Sequence, residues 1–184
     1  MRIIGGEARG RTLLAPRGQT TRPTQDYVRE SLFNILQFEC PGARVLDLFA
    51  GTGALSLEAL SRGAECAVLS DCDHSALSCI RRNIEQVRCG DRCRVIPRDY
   101  HAAISQLAAE GETYDLVFLD PPYRMENTGE MIDELEQAGL LAPEVLVVVE
   151  HRRGLGPKLG PEFRAADLRH YGDTEITLVR RSKR

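Results

Sequence analysis

The chain has 184 residues, 42% apolar and 28% charged, with a formal charge of −3. That length suits one domain with a full core and a short appendage, and no apolar stretch approaches the roughly 20 residues of a membrane span. The net acidity excludes a molecule that binds nucleic acid over its whole surface, yet the charge is uneven. Arg2, Arg9, Arg11, Arg17, Arg22 and Arg29 face only Glu7 and Asp26 at the start of the chain, and the tail carries Arg180, Arg181, Lys183 and Arg184. Two basic ends on an acidic body suggest a directed contact with a polyanion; solvated termini would look the same. Met1 to Gly6 turns polar too early for a secretory leader, so a cytoplasmic protein is expected.

Arg2–Ile4 and Thr12–Leu14, separated by Gly5-Gly6 and Arg9-Gly10, predict a small basic hairpin within an extension over residues 1–23. Pro16 to Pro23 reads as a polar loop. Thr24 offers a hydroxyl N-cap to a helix whose apolar positions are Val28, Leu32, Ile35 and Leu36 and which ends before Pro41-Gly42. A regular alternation follows, with strands at 44–48, 66–70, 93–96, 114–119 and 145–150. Helices are predicted at 54–62, 74–87, 100–109 and 127–138 between them. Such alternation builds βαβ units and a mostly parallel sheet. Gly154 to Pro161 breaks the pattern, and extended runs at 163–171 and 174–180 joined by Gly172-Asp173 predict a closing antiparallel hairpin. The expected architecture is α/β, with one domain over residues 24–184.

No C-x-x-C pair occurs among Cys40, Cys66, Cys72, Cys79, Cys89 and Cys93, so neither a disulfide scaffold nor a metal site is expected.

Val45 to Leu55 reads as strand, tight turn and helix start around Gly51-Thr52-Gly53. Glycines there let a ligand approach the backbone, and the following helix presents free N–H groups. Ser56 occupies the third position of a dinucleotide G-x-G-x-x-G pattern, which argues against NAD. Asp71, ending the second strand, is placed to accept ribose hydroxyls, and Asp73 to cap a helix. Asp99, beside Tyr100, could receive an adenine amine or cap the next helix. Asp47 ends the first strand, where a buried carboxylate needs a partner. The ammonium of an amino-acid moiety would serve, and a pyrophosphate would be repelled, which favours S-adenosylmethionine. Phe49 lies in the same turn.

Asp120-Pro121-Pro122-Tyr123 follows the apolar run Leu116–Leu119, at the carboxyl end of a strand where open α/β sheets bind ligands. Asp120 and the Pro121 carbonyl can accept the two N–H bonds of an exocyclic amine. The prolines fix φ and remove competing donors, and Tyr123 can stack on a base. That combination points to methyl transfer onto a nucleobase amine. A rigid proline turn is the plainer alternative.

The glycine turn, the acidic strand end and Asp120–Tyr123 resemble those of class I S-adenosylmethionine-dependent amino-methyltransferases. Several further stretches resemble the bacterial 16S ribosomal RNA guanine-N2 methyltransferase family: Arg2–Gly6, Arg9-Gly10, Arg22-Pro23-Thr24, Asp26, Val28–Glu30, Leu32–Asn34, Leu57–Ala64 and Tyr171–Thr174. The resemblance implies a Rossmann-like seven-stranded sheet and methylation of one guanine of 16S rRNA in an assembled or nearly assembled small subunit. It also implies that Asp71 takes the ribose-binding place, that Thr24 lies at the cofactor mouth, and that the basic hairpin contacts RNA. Arg2, Arg9, Arg11, Arg22 and Arg29 are the arginines expected to do so, in a monomer with no membrane contact. Many members of that family carry Glu at the Asp71 place. Adenine N6 in DNA, a protein glutamine amide, a non-catalytic assembly role on rRNA and an NAD-linked oxidoreductase are the competing readings.

Overall fold

The computed structural model describes residues 1–16, 23–122 and 124–183, and for residues 23–25 the backbone alone. Seven strands form one sheet in the order β3-β2-β1-β4-β5-β7-β6. They are β1 (Arg44–Asp47), β2 (Cys66–Ser70), β3 (Cys93–Ile96), β4 (Tyr114–Leu119), β5 (Leu141–Arg152), β6 (Phe163–Tyr171) and β7 (Thr174–Arg181). The first five are mutually parallel, and β7 runs antiparallel to both β5 and β6. Helices α1 (Pro23–Ile35), α2 (Ala54–Ser61), α3 (His74–Val87), α4 (Tyr100–Glu110) and α5 (Thr128–Gln137) complete the Rossmann-like α/β fold.

The sheet separates two apolar layers. Val45, Leu116, Phe118, Leu146 and Val148 pack on one side with α1, α2 and α3 residues such as Phe33, Leu57 and Ile80. Leu46, Val117, Leu119, Val147 and Val149 pack on the other with Ile104, Leu107, Ile132 and Leu135 of α4 and α5. Strands buried on both faces read as continuous apolar runs, and alternate residues along each run serve opposite layers.

Three expectations change. Helix α1 begins at Pro23, so Thr24 lies inside its first turn instead of capping it. Proline is well suited to a first helical position, because its missing N–H would have no partner there. The N-terminal hairpin reduces to a single antiparallel bridge, Arg2 to Thr12, flanked by Ile3 N–H to the Arg11 carbonyl at 2.9 Å and Leu13 N–H to the Met1 carbonyl at 2.9 Å. β5 is longer than predicted. It runs through Pro143, where its register with β4 shifts between the Tyr114–Leu141 and Leu116–Leu146 pairs and no ladder hydrogen bond is required of the proline.

The N-terminal segment is bound by side chains more than by backbone ladder. Glu58 of α2 is completely buried. It accepts hydrogen bonds from Ile4 N–H and Gly5 N–H, each at 2.8 Å, and from Arg62 Nε at 2.8 Å. Ser61 Oγ accepts from Ala8 N–H at 2.9 Å and donates to the Gly5 carbonyl. A Cβ on Gly6 would lie 1.8 Å from the Ser61 carbonyl oxygen, so glycine is required at that approach. Glu58→Ala leaves two backbone donors and a guanidinium without their acceptor. It is expected to lower the unfolding free energy by about 3 kcal/mol in urea denaturation, and to expose residues 1–14 to limited proteolysis.

Candidate active site

The carboxyl ends of β1, β2, β3, β4 and β5 open onto a cleft of about 540 Å³. It is lined by Phe49 and Gly51 from the turn after β1, Asp71 after β2, Asp99 and Tyr100 after β3, and Asp120, Pro121 and Pro122 after β4. Eight of the predicted site residues therefore share one cavity. Asp47 and Gly53 lie beneath it. Tyr123 and Arg22 lie outside the described residues, as does the side chain of Thr24.

The glycine turn is fastened to β2. Gly51, at φ 58°, donates its N–H to Asp71 Oδ2 at 2.8 Å, and Ala50 N–H reaches the Ser70 carbonyl at 3.0 Å. Asp71 Oδ1 accepts from Asp73 N–H at 2.9 Å. Asp71 thus holds the turn in shape while its remaining lone pairs face the cleft. Gly53, at φ 79°, sits below the surface as the residue before α2, and a Cβ there would meet Leu69 Cδ2 at 3.1 Å. It shapes the turn and does not line the cleft.

Asp73 caps α3 by accepting Ala76 N–H at 2.8 Å, as expected. Asp99 also acts as a cap, accepting Ala102 N–H at 3.0 Å through Oδ1, while its position on the cleft wall leaves it facing the cavity. Tyr100 packs against Phe49 with ring centroids 5.4 Å apart and planes tilted by 44°, which gives the cleft an aromatic wall.

Asp47 is 1% exposed. Ser56 Oγ donates to its Oδ2 at 3.0 Å, and Oδ1 has no partner among the described residues. Ser56, the residue that broke the dinucleotide pattern, therefore has a structural task on this carboxylate. Burial pushes Asp47 up to about 7, against the pull of the Ser56 and Phe49 hydrogen bonds and with help from Asp71.

Asp120 opens to the cleft, yet protein surrounds it closely. Enclosure, then the neighbouring carboxylates of Glu150 and Asp47, raise it well above the usual carboxylate range. Because water reaches Asp120 through the cleft mouth, enclosure alone is screened, and the like charges are the firmer cause. Glu150, near the end of β5, lines the same cleft and is raised by burial. Sequence reasoning passed over Glu150. Its signal was present all the same: an acid at the end of the apolar run Val145–Val149, as Asp47 and Asp120 follow theirs. Arg98 and Arg124 also line the cleft and were likewise missed.

The arginines expected to face RNA divide. Arg2 and Arg9 are exposed. Arg11 is turned onto the carboxyl end of α3, donating to the Gln86 and Val87 carbonyls. Arg29 is 5% exposed and donates to the Arg2 carbonyl and to Asp26 Oδ1 at 3.1 Å. Burial lowers its pKa, and its charge is spent inside the fold. Among the described residues no cluster of His, Cys, Asp or Glu could hold a metal, and no helix is long and apolar enough to cross a membrane.

Residues 1–180 match the family described as Conserved hypothetical protein 95. The chain belongs to this family. Within that frame, the chain is 44% identical over 150 residues to the ribosomal RNA small subunit methyltransferase D of Escherichia coli strain K12, covering 82% of this chain and 74% of that protein. It is 33% identical over 163 residues to the protein of the same name from Haemophilus influenzae, covering 88% and 83%. Among solved structures, yhhF from Escherichia coli superposes with a TM-score of 0.85 at 38% identity, covering 100% of this chain and 99% of that one.

The raised Asp47 has a consequence for stability. A carboxyl group whose folded pKa lies above its unfolded value stabilises the fold fully below about pH 4. That contribution is lost as pH rises through about 7. The ligand-free protein should therefore lose stability between pH 5 and pH 8, and Asp47→Asn should remove on the order of 2 kcal/mol of that decline. Urea unfolding of both proteins at the two pH values measures the difference; parallel slopes would show that Asp47 does not titrate in this window.

Proposed function

We propose that the chain transfers a methyl group from S-adenosylmethionine to the exocyclic N2 amine of a guanine in small-subunit ribosomal RNA. The observation that carries this reading is that Asp120-Pro121-Pro122 and the glycine turn open onto one cleft at the carboxyl ends of neighbouring strands. The names of the Escherichia coli and Haemophilus influenzae relatives support small-subunit rRNA as the substrate. Guanine N2 rests on the N-terminal signature and on the acceptor pattern of the cleft.

The residues present suit the cofactor. The unpartnered, buried Asp47 Oδ1 leaves acceptor capacity for an ammonium or a water bonded to it, Asp71 offers lone pairs for ribose hydroxyls, and Phe49 with Tyr100 offers an aromatic wall for an adenine. When bound, S-adenosylmethionine supplies a methyl group already activated by positive sulfur. The protein's task is the acceptor. The lone pair of an aromatic amine is delocalised into its ring. Acceptance of its two N–H bonds by Asp120 and by the Pro121 carbonyl draws that lone pair out of conjugation and aims it. Rate enhancement then comes from positioning and fixed dipoles, with no covalent intermediate on the protein. A strong base is not required, because the nitrogen becomes acidic once it is alkylated.

RNA must present the base turned out of its stack. The exposed Arg2 and Arg9 of the leading segment, together with Arg98 and Arg124 at the cleft, are the cations available to hold the flanking phosphates.

Two outcomes test this. Asp120→Ala is expected to keep S-adenosylmethionine affinity within a few-fold by calorimetry, while methyl incorporation into small subunits falls by roughly a thousandfold. Retained turnover would remove the acceptor role of Asp120. Replacing Arg2 and Arg9 together with Gln should reduce the slope of log affinity against log salt by about 2, because each phosphate contact releases close to one counterion. An unchanged slope in filter binding would place the RNA contact elsewhere.

A further inference from the structure

We propose that Glu150 is a specificity-determining residue: it accepts the N1–H of the target guanine beside Asp120, so that the two carboxylates together admit a base with two adjacent N–H donors. This rests on the amine-methylating reading of the cleft and deepens it.

The geometry comes from the sheet. β4 and β5 are parallel neighbours, with Leu119 in register with Val149, so Asp120, just past the end of β4, and Glu150 of β5 are the residues that follow the last pair of the ladder. Neighbouring strands are spaced about 4.8 Å apart, which sets the two carboxylates side by side. Leu119 and Val149 both face the α4–α5 layer, whereas Phe118 and Val148 face the α1–α3 layer. Continued alternation turns Asp120 and Glu150 to the same side, the side of Asp47, and both line the cleft. Among the described residues no group hydrogen-bonds to either carboxylate or forms an ion pair with it; only enclosure and like charge act on them. Arg98 and Arg124 line the same cavity but are not paired with them. Two close acceptors without donors form an unfavourable arrangement that a ligand carrying donors relieves.

Guanine carries such donors. Its N1–H and N2–H lie side by side on one edge. Adenine sets an unprotonated, lone-pair-bearing N1 next to its amine. Facing Glu150, that lone pair would meet a negative acceptor, and the half-buried acceptor would stay unpaired. Sites built to bond a substrate N–H reject analogues lacking it strongly. Asp120 and the Pro121 carbonyl grip the reacting amine in either base; Glu150 is the acceptor that tells the two apart.

The test uses small subunits reconstituted with 16S RNA carrying either guanine or 2-aminopurine at the mapped target. 2-Aminopurine keeps the N2 amine and lacks N1–H. With guanine, Glu150→Gln should raise KM and lower kcat/KM by about tenfold to a hundredfold, while Glu150→Asp, which keeps the charge, should recover part of the loss. With 2-aminopurine the wild-type protein should already be slow, and Glu150→Gln, which replaces the negative acceptor with a group that can donate to N1, should not lower that rate and should raise it if it changes it at all. S-adenosylmethionine affinity by calorimetry, within a few-fold for every variant, reports that the cleft is intact. An equal loss on both bases, or guanine activity within twofold of wild type, would overturn the role of Glu150. A wild-type protein that leaves guanine-containing subunits unmethylated would instead overturn the methyltransferase reading itself, and the role of Glu150 with it.

Discussion

The register of three parallel strands is the constraint on which the site depends. Asp47 ends β1 opposite Phe118 of β4, Asp120 lies two residues beyond Phe118, and Glu150 follows the β5 residue paired with Leu119. Each strand is apolar up to that point because helices cover both faces of the sheet. Where the covering stops, an acid can be tolerated and a ligand can enter. A slip of one residue in either pairing would turn a carboxylate from the cleft into the opposite apolar layer, where an unpaired charge is strongly unfavourable. The packing of the core and the placement of the chemistry are therefore one requirement.

A second buried acid organises the other end of the chain's logic. Glu58 has no opening to solvent, and its oxygens are taken by two backbone N–H groups and Arg62. Asp47, Asp120 and Glu150 keep unused acceptor capacity, and burial, with like charge beside Asp47 and Asp120, shifts their protonation equilibria upward. The contrast separates an acid that holds structure together from acids held ready for a ligand, although all four sit at the end of, or within, apolar stretches of sequence.

Much of the fold was legible because local chemistry and global packing agree. β2, α3, β3, β4 and β6 begin and end where apolar periodicity, Asp73 as a cap and the glycine turns place them. β5 was underestimated because Pro143 reads as a strand breaker, and only the local register shift against β4 makes it tolerable. The cleft wall was legible because its residues cluster at strand ends that chain order reveals. The arginines were not. Charge gives sign without direction, and Arg11 finds its carbonyl acceptors 75 and 76 residues away on α3. Glu150 was hidden for a related reason: its neighbour in space, Asp120, is thirty positions earlier and meets it only through strand pairing.

One side-chain amide joins the two ends of this arrangement. Asn83 of α3, fully buried, accepts Leu14 N–H at 2.7 Å and donates to the Leu14 carbonyl at 3.0 Å and to the Thr52 carbonyl at 2.9 Å. Leu14 belongs to the leading segment and Thr52 to the loop between the two glycines. The segment and the loop consequently share a single anchor, so that a displacement of Leu14 is felt at the Thr52 peptide plane inside the glycine turn. Trimming the leading residues would leave that amide half-satisfied and loosen the loop from a distance, so the head of the chain is a structural tenant of the glycine turn and not a detachable handle.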